Sequence, residues 1–102
     1  MPSFRATLTI NGLRPGNAPE AVMSTAVAAL SSMHLVEANQ LDIVGGVPRI
    51  TLRFTVDPSQ DDVENRQARD AGASMRHAIE TVAVTGGLHV LRRSKGKWLP
   101  LD

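Results

Sequence analysis

The chain of 102 residues contains no cysteine and no tyrosine. Without cysteine there can be no disulfide, no thiolate nucleophile and no thiolate metal site. Aromatic residues make up 3% of the chain, namely Phe4, Phe54 and Trp98. Platforms for stacking bases are therefore scarce. No charge of one sign dominates, since 11 Lys and Arg against 10 Asp and Glu leave a formal charge of +1. No global field steers such a protein to nucleic acid or to a membrane, and any electropositive surface must arise by local segregation. No apolar run approaches the roughly 20 residues that span a bilayer. The opening "MPSFRATLTI" has no basic region followed by an apolar run. No leader is predicted from it, and a soluble, cytoplasmic protein is expected.

What is present is ordinary globular composition, 42% hydrophobic and 21% charged. That suffices for one core and is too little for two. A single domain over 1–102 is expected, with a core at 4–93 and a C-terminal hairpin extension at 94–102.

Hydrophobic periodicity lays out the elements. Phe4, Ala6, Leu8 and Ile10 alternate with Arg5, Thr7 and Thr9, the pattern of a strand with one buried face. "NGLRPGN" supplies turn chemistry; Asn17 is predicted to cap a helix, with Glu20 reaching back. Val22, Met23, Ala26, Val27 and Leu30 then follow at helical spacing. In "HLVEANQLDIV" the alternation changes phase, which a bulge near Asn39 reconciles and which places this strand at a sheet edge. "VGGVP" reads as a hairpin, and "RITLRFTV" is its return strand, with Ile50, Leu52, Phe54 and Val56 inward.

Ser59 and Asp62 read as a second capping box. The helix after them carries the stripe Ala68, Ala71, Met75, Ala78, Ile79 and Val82. Its first half is weak and is expected to project, fray or meet a partner; Gly72 within it costs about 1 kcal/mol relative to alanine. "TGG" is predicted to close the helix, "LHVLRR" to form a fourth strand, and "WLPLD" a short fifth that Pro100 confines to an edge. The order β-α-β-β-α-β predicts an α+β fold, the ferredoxin-like sandwich. In it a four-stranded antiparallel sheet carries both helices on one face, here with a short C-terminal strand extension.

Such a sheet leaves its other face uncovered. Arg5, Arg49, Arg53, His89 and Arg93 fall there among threonines, a basic surface on a nearly neutral chain. Solvent, a second copy of the chain in a homodimer, and nucleic-acid phosphates are the three candidate occupants. Nucleic acid is the least favoured, because both phenylalanines point inward where RNA-binding sheets of this topology present outward aromatics. Trp98 is expected to anchor the tail.

Candidate chemistry is sparse. In "GLRPGNAPE", Arg14, Gly16 and Asn17 could hold a small anionic ligand, a carboxylate or phosphate, against the start of the helix. A plain Pro-Gly turn with an Asn17 cap accounts for the same residues. Asp57, Asp61 and Asp62 lack the spacing of a calcium loop. His34, His77 and His89 lie on three elements without metal-ligand spacing. No Gly-x-Ser-x-Gly elbow occurs. No catalytic residue, metal or cofactor is assigned, and nothing in the sequence calls for an enzyme.

Over about residues 4–92 the chain resembles ACT domains, small ligand-binding regulatory modules. The likeness rests on a strand leading into "GLRPG", a helix, "HLVEANQLDIVGG", "RITLRFTVD" and a second helix. Leu13 stands where that family often has an acidic residue, and "NAP" replaces the apolar residues that commonly follow the glycine. The resemblance implies a ligand held at the Arg14-Pro15-Gly16 turn and pairing through sheet edges or helices. The expectation is a non-enzymatic interaction or ligand-sensing homodimer, the alternative a protein that contacts nucleic-acid phosphates through the basic sheet face.

Overall fold

A computed structural model describes residues 1–101. Strand β1 (Ser3–Leu13) leads to helix α1 (Glu20–Ser31), the hairpin β2 (Leu35–Val44) and β3 (Val47–Thr55), helix α2 (Asp61–Ile79), and a second hairpin, β4 (Ala83–Ser94) and β5 (Lys97–Pro100). All strands join one antiparallel sheet in the order β2-β3-β1-β4-β5. The sheet thus has five strands rather than the expected four. Lys95 and Gly96 both take positive φ, 50° and 79°. Such a two-residue turn matches the twist of a hairpin and folds the tail back beside β4.

The alternation in β1 and β3 sorts as its sequence pattern requires. Phe4, Ala6, Leu8 and Ile10, with Ile50, Leu52 and Phe54, form the floor of a core closed by Val22, Ala26 and Leu30 of α1 and Ala68, Ala71, Met75 and Ile79 of α2. Each fully buried Leu, Ile, Phe or Met contributes about 1.5–3 kcal/mol relative to an exposed one. The Phe4 and Phe54 rings stack at 6.0 Å between centroids, and they lie directly opposite on neighbouring strands.

The bulge of β2 lies between Val36 and Ala38, just before Asn39, and β2 is an edge strand as expected. Several local expectations are corrected. Helix α1 begins after Pro19 without a side-chain cap. Asn17 instead turns its amide back onto the Arg14 and Pro15 carbonyls, at 3.2 and 3.3 Å. Helix α2 likewise has no side-chain cap bond. The residue that reaches back is Glu64, whose carboxylate accepts the Ser59 N–H at 2.7 Å. The front of α2 neither projects nor frays, because Arg92 donates to Glu64 at 2.7 Å and to Asn65 at 2.9 Å.

Helix α2 also ends earlier, and "TGG" lies inside β4 instead of closing the helix. The reason is tertiary. Across from β4, β1 shifts register on both sides of Ile10, and a Cβ on Gly86 would come within 3.1 Å of Thr9 Cβ. Gly72 has a similar reason to sit mid-helix, since a Cβ there would stand 2.8 Å from Val90 Cγ2. No helix among the described residues is long and apolar enough to cross a membrane.

Candidate functional site

Two surfaces stand out, both on the sheet. The first is its open face. Antiparallel register sets Arg5 directly opposite Arg53, Thr7 opposite both Thr51 and His89, and Thr9 opposite Arg49. The tight turn before β5 pairs Arg93 with Trp98, so the indole joins this same face. The guanidinium carbon of Arg5 lies 4.1 Å from the centre of the Trp98 ring, with those of Arg53 and Arg93 at 5.4 and 5.5 Å. Three cations thus gather about one aromatic ring, from β1, β3 and β4.

Little else on the face answers their charge. Glu37 approaches Arg53 at 3.5 Å. Among the described residues, Arg5, Arg49 and Arg93 have no carboxylate within ion-pair distance. Asp42 lies across from Arg49 in the register, but both its oxygens accept from the Gln40 amide, at 3.0 and 3.1 Å. The Nε atoms of Arg49 and Arg53 are buried without a hydrogen-bond partner among the described residues. Between the arginines runs a trough of about 360 Å³, lined by Arg5, Thr7, Gln40, Asp42, Arg49, Thr51, His89 and Leu91. A smaller recess of about 110 Å³ continues it beside Arg53 and Asn39.

The second surface lies on the helix side, where the β2–β3 hairpin extends past α1. Leu41 and Ile43 face inward by register, opposite Ile50 and Pro48, yet they are 60% and 63% exposed. With Ile10, Leu13, Val22 and Met23 they line an apolar cleft of about 290 Å³. Val44 and Val47 leave the tip of the hairpin apolar as well.

The Arg14, Gly16 and Asn17 turn lies just past the opposite end of β1 from Arg5. Gly16 takes φ 82°, and the Asn17 amide closes the turn on itself. The Arg14 side chain donates to the Glu80 carbonyl at the C-terminus of α2, and its N–H donates to Val82 at 2.9 Å. These groups tie β1 to the end of α2. His34 packs on Phe54, His89 stands exposed on the open face, and His77 lies exposed on α2. Among the described residues, no three His, Asp or Glu side chains come together as metal ligands would.

Three features escaped the sequence reading. Trp98 on the open face was legible in principle, because a two-residue turn at Lys95-Gly96 fixes the parity of Trp98 against Arg93. The apolar cleft was not, since alternation marks Leu41 and Ile43 as inward without saying what covers them. The Glu64–Arg92 pair was not legible either, because it joins residues 28 apart through packing alone. Ser59 and Arg92 hold the Glu64 carboxyl below its ordinary pKa, the Ser59 N–H being the larger cause. Compared with known proteins, the chain matches no family model, no curated protein and no solved structure.

Proposed function

We propose that this chain is a small, non-enzymatic interaction and ligand-binding module that works as a homodimer joined through the β2 edge. The observation that carries this reading is the exposure of Leu41 and Ile43 on an edge strand hydrogen-bonded on one side only, next to the apolar cleft. Edge strands are ordinarily guarded by lysine, proline or short length. β2 runs ten residues and contains neither lysine nor proline, though its bulge guards one end.

A two-fold axis through Gln40 would set Asn39 opposite the second copy's Leu41 and Ala38 opposite its Asp42, with no like charges facing. Leu13, Leu41, Ile43, Val44 and Val47 together expose on the order of 400 Å² of apolar surface, the size at which a patch on a monomer is often functional. The ten-residue edge adds a polar rim to that patch, and a stable interface buries roughly 800 Å² per partner. In this reading β2-β3-β1-β4 under two helices is a ferredoxin-like sandwich extended by β5, akin to the ACT domains that pair through edges or helices.

Light scattering at about 100 µM should report twice the 10.9 kDa monomer mass, in the range where micromolar self-association is populated. The double variant Leu41→Lys, Ile43→Lys should run as a monomer with an unchanged far-UV spectrum. A wild-type chain of monomer mass at that concentration defeats the dimer.

A further inference from the structure

From the open face we infer a binding site for a small anion with two or more carboxylate or phosphate groups. One group sits by Arg5 and Arg53, another by Arg49. The inference rests on reading the chain as a binding module but not on its dimer interface. Like charges directly opposite on neighbouring strands destabilise a sheet, and Arg5 faces Arg53 in that relation. The Trp98 ring offsets part of the repulsion by cation–π attraction. Arg49 has no such compensation, and among the described residues no carboxylate lies within ion-pair distance of it. An anion supplies what both ends lack.

The trough between them has the dimensions for it. Arg5 and Arg49 emerge four residues apart along the sheet, about 13 Å at Cα, and both line the same space. Its volume of about 360 Å³ falls within the range of small-molecule sites. The floor is polar. The Thr7 and Thr51 hydroxyls share one hydrogen bond at 3.3 Å, so one of their two protons remains free for a ligand oxygen. Asp42 on the rim sets an upper limit on affinity, though the Gln40 amide already occupies both its oxygens. A polymer would need a long cationic track, whereas here Glu37 and Asp42 close off the β2 side of the face.

The chain has one tryptophan and no tyrosine, so intrinsic fluorescence reports on Trp98 alone. Citrate and pyrophosphate, titrated separately at low salt, should each shift that emission saturably. Arg49→Gln and Arg5→Gln should each weaken binding about tenfold or more, the loss expected for removing a charge-assisted contact. Asp42→Asn should tighten it. Arg66→Gln on the outer side of α2 makes the same change in net charge and should leave affinity within about twofold, as a distant screened charge would. The Leu41→Lys, Ile43→Lys variant should bind as wild type, which separates this site from the dimer. Three results overturn the inference: no saturable signal or heat up to about 10 mM, far weaker than a specific site; an equal loss with Arg66→Gln; or binding of a short oligothymidylate in preference to both small anions.

Discussion

The two flanks of the sheet are built from the same alternation and end up differently. On the β4 side, α2 approaches so closely that only glycine fits at position 72, and Arg92 lies over Phe4 while pairing with the buried Glu64. On the β2 side every residue of the strand is exposed or half-buried, including the inward-facing Leu41 and Ile43. Helix length contributes to the contrast. The 19 residues of α2 span about 28 Å, whereas the 12 of α1 span about 18 Å. A ten-residue strand such as β2 is about 33 Å long. The shorter helix cannot cover it, and the apolar side chains beyond its reach become surface.

Two leucines on the neighbouring strands β2 and β3, Leu41 and Leu52, mark the two extremes of burial. Leu52→Ala on the sealed floor should lower stability by about 2–5 kcal/mol in urea denaturation, the cost of a buried cavity. Next in size is Gly72→Ala. Propensity alone would make it stabilising by about 1 kcal/mol. The 2.8 Å approach to a stiff valine reverses the sign, and a loss of about 1–3 kcal/mol is expected. A gain in melting temperature would show that the sealed flank has slack.

The pH dependence of the sealed flank is a gentler probe. Ser59 and Arg92 hold the folded-state pKa of Glu64 below its unfolded value. Its contribution is therefore complete above the unfolded value and fades as pH falls through the lowered folded one. Glu64→Gln should flatten the acid limb of a melting-temperature profile, and an unchanged limb would remove Glu64 from the account. The smallest effect belongs to the open flank. Leu41→Ala, in a chain kept monomeric by dilution, should shift stability by no more than about 0.5 kcal/mol.

Much of the fold was legible because strand patterns of period two leave little freedom. Phe4 to Ile10 and Ile50 to Phe54 sort to one face in any register that buries them, and two helical stripes then have one place to go. The errors fell where a residue serves a neighbour distant in sequence. Gly86 and Gly87 resemble a helix stop by composition, but Gly86 sits against Thr9 because β1 shifts register there. Ser59 resembles a cap, but the partner that reaches it is Glu64, held in turn by Arg92. For the candidate site, Arg5, Arg49, Arg53, His89 and Arg93 were readable as one face from parity alone. Their mutual distances, and the arrival of Trp98 among them, depended on strand order.

The sequence by itself determined which side chains share a face, because alternation along a strand is a property of the backbone. It determined too that the face away from the core would be basic on a chain of nearly balanced charge. Only the tertiary structure decided which apolar residues are covered, since that turns on how far each helix reaches across the sheet. Only the tertiary structure, likewise, set Arg5 against Arg53 beneath one indole and Arg49 across from an Asp42 already held by Gln40, because strand neighbours are chosen by the packing of the whole chain.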